Sequence, residues 1–397
     1  MKALYRNTTL MAVFLAALFI TSITPVKVEA ADLTVSGWIP YWASAKGIKE
    51  ASKNLSKLDE INPFAYSVKS DGSLADTAKL TSSSWKKLFR DAEKKDVAVI
   101  PTVMWSDRAN IERILMSPSL RARHVEHVAR MAEDGDFDGV DIDYENKSAA
   151  TRPYFSLFLK ELDAALGDKE LSCTIEARTP PDSVYRTVPA TIEYANDFKE
   201  INKYCDQVRM MAYDQQTADW KLNDANPKPY APLSDKAWVK KVMELAAKDI
   251  DRDKLVMGVP TYGHEYAITV HPSGYMEYKK LWSLNPVYAK DTAKKMKATA
   301  ARAAHGEMRL AYIPKDSAAY KTKAKVDRGV SKAELPIEQA KAHAKATGKP
   351  AVVNVMWWHD AGAIEEKVEL AESLGIKGVA IFKIDGGADS KMWKVLP

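Results

Sequence analysis

Eight short apolar runs, each separated from the next by a stretch long enough for a helix, limit the fold more than any other feature of this sequence. The runs are Leu33–Trp38, Glu60–Tyr66, Val97–Val103, Gly139–Tyr144, Leu171–Ile175, Gln207–Ala212, Leu255–Val259 and Lys377–Ile384. Between them lie helical patterns. Ser119–Glu133 puts Leu120, His124, Val125, Val128 and Met131 on one face behind a cap candidate, Ser119, and Trp238–Lys248 and Ala363–Leu374 behave similarly. Strands that alternate with helices build a parallel sheet. Eight such units predict an α/β fold, a closed (β/α)8 TIM barrel, rather than an open doubly wound sheet. No Gly-x-Gly-x-x-Gly follows the first run, which argues against dinucleotide binding.

The chain of 397 residues is long for one compact core but suits such a barrel with an insertion. The excess falls between the seventh and eighth runs, where Gly263 to Ala361 spans about a hundred residues and one helix would suffice. We read residues 264–358 approximately as a small α+β insertion. It contains Tyr275–Trp282, a helical stretch Ala289–Ala304, and two strand-like segments, Glu307–Ile313 and Ala351–Trp358, that pair with each other. A disordered linker is the alternative. Tyr275, Tyr278, Trp282, Tyr288, Tyr312, Trp357 and Trp358 argue against it.

Hydrophobic content of 46% and charged content of 28% are ordinary for a soluble chain. The formal charge is +5, of which residues 1–30 supply +2. The remaining +3 is too weak to argue for a nucleic-acid partner. A mildly basic surface would help the chain approach an anionic cell wall, although solvated helix faces commonly carry such charge. Residues 1–30 read as a secretory signal: Lys2 and Arg6, then the apolar run Leu10–Ile20, then Val28-Glu29-Ala30 with cleavage after Ala30. A retained membrane anchor is the rival, but that run falls short of the roughly 20 residues a spanning helix needs. Residues 31–397 would then be a secreted, extracellular or wall-associated monomer, with no membrane insertion after cleavage. Cys173 and Cys205, the only cysteines, lie at neighbouring predicted strands. In an oxidising compartment they either pair or remain two buried thiols.

The chemistry concentrates in Asp138-Gly139-Val140-Asp141-Ile142-Asp143-Tyr144-Glu145. Side chains alternate along a strand, so Asp141, Asp143 and Glu145 share one face, about 6.6 Å apart in successive pairs. That face points into the barrel, where branched apolar residues normally pack. Stacked carboxylates there cannot all ionise, so the group shares a proton and its pKa rises. A carboxylic acid still protonated near neutral pH is what cleavage of a glycosidic bond requires. Glu145, at the C-terminal mouth of the barrel, is the expected donor, and Asp143 the residue that holds or passes the proton. Two other readings exist, solvated charges on a loop and a divalent-cation site. The interleaved Val140, Ile142 and Tyr144 oppose the first. Single-strand spacing, which wraps an ion poorly, opposes the second.

These residues resemble the catalytic signature of family 18 glycoside hydrolases, the chitinase-like barrels. Other strands are similar to that family too: Met211-Ala212-Tyr213-Asp214, Gly258-Val259-Pro260-Thr261-Tyr262-Gly263, and Trp358-His359-Asp360 leading into Gly378–Phe382. The segments 213–215, 230–233 and 238–242 look closest to the branch acting on peptidoglycan and spore cortex. The resemblance implies a secreted hydrolase of β-1,4-linked N-acetylglucosamine polymers, chitin or peptidoglycan, with no cofactor and no metal. It implies a retaining, substrate-assisted mechanism. Glu145 would be general acid and base, Asp143 would orient the acetamide, Asp141 would set the proton balance of Asp143, and Tyr213 would bond the acetamide oxygen. Asp214, Met211, Trp38, Trp105, Tyr262, Trp358 and Phe382 would contact substrate, though each aromatic can equally pack in a core. Three departures bear on substrate length and affinity. Trp38 stands where the family usually has Tyr, Phe382 where it has Trp, and Ile100–Trp105 lacks the family's Ser-x-Gly-Gly. A non-catalytic lectin on the same barrel is the main rival, disfavoured by the intact Glu145. An unrelated metal-dependent barrel enzyme is another. His264 and His359 follow strand ends and either line the cleft or pack.

Overall fold

The computed structural model describes residues 33–321 and 325–397; the expected signal segment lies outside them. Seven strands follow in order: β1 (Thr34–Pro40), β2 (Glu60–Val68), β3 (Thr102–Trp105), β4 (Gly139–Tyr144), β5 (Glu170–Glu176), β6 (Gln207–Met211) and β7 (Leu255–Pro260). The chain then builds β8 (Gly263–Val270), β9 (Met276–Leu284), β10 (Ala300–Arg302), β11 (Met308–Tyr312) and β12 (Ala351–Trp358) before returning as β13 (Gly378–Phe382). Strands β1 to β7 pair in parallel, each with the next, and β13 pairs in parallel with both β7 and β1. The sheet is therefore a closed eight-stranded barrel with helices between strands, the (β/α)8 architecture expected. Each barrel strand meets the inner core on one face and helices on the other, which is why all eight are legible as apolar runs.

The helices bury the faces their spacing marks. The helix Pro118–Asp134 seats His124, Val125, Val128 and Ala132. Its expected cap Ser119 is corrected: Pro118 takes the first turn, where a missing N–H costs nothing, and Ser117 is the N-cap. The helices Lys236–Ala246 and Ala361–Leu374 start one turn's fraction earlier than their apolar patterns. Asp235 and Asp360 cap them by accepting from the backbone N–H of Ala237 and Ala363.

The insertion is a second sheet, order β9-β8-β12-β11-β10, antiparallel throughout. Strands β11 and β12 do pair, as expected. The central strand is β12; β8, which the sequence pattern does not mark as a strand, lies between it and the edge strand β9. The expected helix Ala289–Ala304 is shorter and earlier, Pro286–Met296; Lys297 adopts a left-handed φ of 51° and the chain continues into β10. A further helix, Leu335–Thr347, lays Ile337, Ala340 and Ala344 against Tyr266, Ile268, Val353, Val355 and Trp357. Cys173 on β5 and Cys205 just before β6 form a disulfide, both fully buried. Among the described residues no helix is long and apolar enough to cross a membrane.

Candidate active site

Strand β4 carries the acids. Its alternate residues Ile142 and Tyr144 face the helices: the Tyr144 hydroxyl lies 2.5 Å from His124 Nε2, and His124 Nδ1 lies 2.6 Å from the Gly72 carbonyl. The second contact makes Nδ1 the donor, so Nε2 accepts from Tyr144. His124 is thus a packed core histidine, and burial lowers its pKa to about 4. Asp141 and Asp143 occupy the opposite, inner face.

Asp141 is fully buried and both its oxygens are in use. Oδ2 accepts from Thr102 Oγ1 (2.8 Å) and Trp38 Nε1 (3.2 Å); Oδ1 accepts from Thr174 Oγ1 (2.8 Å) and Ser172 Oγ (3.1 Å). The Arg209 guanidinium approaches to 3.6 Å and is itself paired with buried Glu60. With hydroxyls, an indole and a guanidinium around it, Asp141 offers no lone pair for a cation. Asp143, 4% exposed, is the opposite case, because its Oδ1 has no hydrogen-bond partner among the described residues. Burial, then the charges of Glu145 and Asp141, push its pKa well above the usual carboxylate range. Glu145, just past the strand, is partly exposed. Burial and the neighbouring Glu176 and Asp214 raise its pKa, while the Lys147 ammonium opposes them.

Two residues in that account escaped the sequence reading. Lys147 is fully buried, sits 4.5 Å above the Phe155 ring, donates to the Tyr144 carbonyl and lies 3.9 Å from Glu176. Glu176, at the end of β5, accepts from the Asn146 N–H and from Asn196 Nδ2. Strand parity would have found Glu176, since Ser172, Thr174 and Glu176 share the inner face of β5 and Thr174 sits in register with Asp143. Nothing in the sequence flags Lys147.

Across the mouth, Asp214 takes a left-handed φ of 58° that turns its carboxylate toward the insertion. There it accepts from His264 Nε2 (2.6 Å) and Tyr262 Oη (2.9 Å). Burial works against ionisation, but these two bonds hold Asp214 below the usual carboxylate range. The Tyr213 ring stacks on Phe382 with centroids 5.5 Å apart. Together Trp38, Asp143, Glu145, Met211, Tyr213, Asp214, Tyr262 and Phe382, with the unforeseen Phe64 and Thr174, line a pocket of about 180 Å³. Asp214, Tyr262 and Phe382 continue into a groove of about 450 Å³ walled by Trp42, Asn285 and Lys383. Glu176, whose charge reaches Glu145, borders a further hollow of about 420 Å³ with Arg178, Tyr185 and Tyr194.

Two expected sugar contacts are corrected. Trp105 is 5% exposed and packs 5.3 Å from both His124 and Tyr144, on the helix side of β3. Trp358 is 2% exposed and packs with Leu284, Leu310 and Met356 inside the insertion. Neither lines the pocket. His359 is also buried: its side chain lies 3.4 Å from Glu307, and its backbone N–H donates to the carbonyl of Tyr262.

Comparison with known proteins agrees with this fold. The family described as "Glycosyl hydrolases family 18" matches residues 37–387. The chain is 23% identical over 288 residues to the "Uncharacterized glycosylase YvbX" of Bacillus subtilis (strain 168), spanning 72% of this chain and 67% of that protein. The Bacillus cereus spore cortex-lytic enzyme SleL shares the fold with a TM-score of 0.66 at 17% identity, over 92% of this chain and 74% of the other. A class V chitininase from Pseudomonas fluorescens Pf-5 does so with a TM-score of 0.67 at 20% identity, over 92% and 98%. The family match runs from β1 past β13 and takes in every element that lines the pocket: the chain belongs to glycosyl hydrolases family 18 and is a glycoside hydrolase.

Proposed function

We propose that the chain is a secreted hydrolase of β-1,4-linked, N-acetylglucosamine-containing glycan, chitin or peptidoglycan, acting by a retaining, substrate-assisted mechanism. The observation that carries this reading is the pair Asp143 and Glu145: two carboxyls with raised pKa values, one without a partner, opening on a small pocket beside Tyr213. Glu145 gives its proton to the departing glycosidic oxygen. The acetamide oxygen of the sugar at the cleavage point attacks its own anomeric carbon, displacing that oxygen and closing an oxazolinium ring. Asp143 accepts the acetamide N–H through its free oxygen and balances the positive charge that develops there. Tyr213 holds the acetamide oxygen in line. Glu145, now a carboxylate, takes a proton from water as that water opens the ring and retains the configuration. Asp214, fixed by Tyr262 and His264, bonds sugar hydroxyls; Met211 and Trp38 form the floor, and Phe382 offers an aromatic face.

The groove that continues from the pocket past Asp214, Tyr262 and Phe382, and the hollow beside Glu176, favour a polymeric substrate. The similar proteins include one named as a spore cortex-lytic enzyme and one as a chitininase, which supports both glycan classes. Hydrolysis of a fluorogenic N-acetylglucosamine oligomer tests the reading. Glu145→Gln should lower kcat at least a thousandfold with an unchanged melting temperature. Retained turnover in that variant would refute the assignment, and sugar binding without turnover in the wild type would favour a lectin. Digesting purified chitin and purified peptidoglycan in parallel, with mass analysis of products, separates the two substrates. A mature mass starting at Ala31 in culture supernatant tests secretion.

A further inference from the structure

The modest overall charge hides a segregation. Residues 264–358 contain 17 Lys and Arg against 8 Asp and Glu, a net charge of +9, so the rest of this +5 chain is net −4. The excess is not spread evenly over the insertion. One groove of about 840 Å³ runs between the end of the helix Pro286–Met296, the segment after β11 and the start of the helix Leu335–Thr347. Lys295, Lys297, Lys315 and Lys332 line it, all four exposed, and no acidic residue does. Among the described residues none of the four makes an ion pair. Glu334, the acid nearest Lys332 in the chain, is already engaged by Arg309 and Lys228. Four like charges facing one concavity repel each other, an arrangement that an anion would relieve.

We propose that this groove is a docking site for a flexible anionic polymer of the polyol-phosphate class. The cations are all lysines. Compact charges on flexible stems suit a mobile chain of phosphodiesters; rigid bidentate recognition of one fixed phosphate would use arginine. The groove is large, about 840 Å³, and among the described residues that line it no buried side-chain donor fixes a single anion. Tyr320 is its one well-exposed aromatic ring, whereas single-stranded nucleic acid sites stack successive bases on several. The site is separate in residues from the catalytic pocket, so polymer binding does not depend on the proposed hydrolysis.

The full chain is titrated with poly(glycerol phosphate) at several salt concentrations. Wild type and Glu145→Gln bind equally, with log K falling against log salt at a slope of about −3 for four neutralised phosphates. Lys295→Gln/Lys297→Gln/Lys315→Gln/Lys332→Gln loses at least tenfold in affinity and most of the slope, while its turnover of a soluble oligomer and its melting temperature stay unchanged. Lys53→Gln/Lys86→Gln/Lys95→Gln/Lys199→Gln, which removes the same charge from exposed barrel positions, binds as wild type. Three results would overturn the proposal: no loss in the groove variant, an equal loss in the barrel variant, or tighter binding to single-stranded DNA or anionic lipid vesicles than to the polymer.

Discussion

Replacing Arg209 with methionine should cost the barrel several kcal/mol, and the structure sets the scale. Arg209 is fully buried at the floor of the acid ladder, paired with Glu60 and 3.6 Å from Asp141. Methionine keeps the apolar stem and removes the charge, leaving two buried carboxylates without their cation. At that separation a unit pair is worth about 4–5 kcal/mol with an effective dielectric constant near 20. Truncating one partner of a buried pair costs about 3–5 kcal/mol. Asp141 keeps its four hydroxyl and indole donors and Glu60 keeps Gln207, so the two losses do not simply add. Unfolding entropy near 2.1 cal/mol/K per residue over roughly 365 residues gives about 0.8 kcal/mol per kelvin, so Tm should fall by about 4–6 °C. Calorimetry measures the shift, and urea unfolding measures the free energy. Glu60→Gln in the same background should recover part of it, because it removes one of the stranded charges. A shift under 1 °C, or a double variant whose losses add, would refute the claim that this cation neutralises the ladder's floor.

Lys147 and Glu176 should move the pH profile in opposite directions. The Lys147 charge favours ionised Glu145, so Lys147→Met should raise the Glu145 pKa further and shift the alkaline limb of kcat/KM up by about half to one pH unit; Glu176→Gln should shift it down. Limbs that stay put, or move together, would sink this account. Removing the disulfide with Cys173→Ala/Cys205→Ala opens a link across 32 residues and should cost about 3–4 kcal/mol in urea unfolding, a loss below 1 kcal/mol counting against it. Trp42→Ala should raise KM with little change in Tm, since Trp42 walls the groove and is 52% exposed, whereas Trp105→Ala should lower stability by about 3–5 kcal/mol and leave KM alone; the reverse pattern would mean the two rings were assigned to the wrong surfaces.

The barrel was legible because its strands are buried on both faces and read as unbroken apolar runs, and the acids stood out because they interrupt that pattern at a period of two. The insertion was half legible. Its adjacent inner strands β11 and β12 are apolar and aromatic, but β8, Gly-His-Glu-Tyr-Ala-Ile-Thr-Val, mixes polar and apolar residues because its neighbours supply partners for both. His264 bonds Asp214, and Glu265 accepts from Tyr312 and Asn354. Trp105 illustrates a different limit. Its residue type suggested a sugar platform, yet its register with Tyr144 puts it on the helix side. Parity fixes which residues travel together along a strand; only register against a neighbour whose face is known decides where they point.

Register also changes the electrostatic argument. Treated as a sequence, Asp141, Asp143 and Glu145 are three similar acids sharing a proton. In the folded chain their surroundings differ in kind. Asp141 is saturated by four donors and a guanidinium, so its carboxyl is held in place. Glu145 sits at the rim between an ammonium and two further carboxylates, which set its proton affinity from opposite sides. Asp143 alone is buried with an oxygen left unpartnered. Proton affinity is therefore raised at Asp143 and at Glu145, with Asp143 the more strongly raised by burial and by charges on both sides of it. A substrate amide N–H reaching that oxygen would supply the missing partner, lower the proton affinity of Asp143, and remove the competition for the proton that Glu145 needs. Substrate binding and proton placement would then be one event, with the empty hydrogen-bond position on Asp143 as the coupling between them.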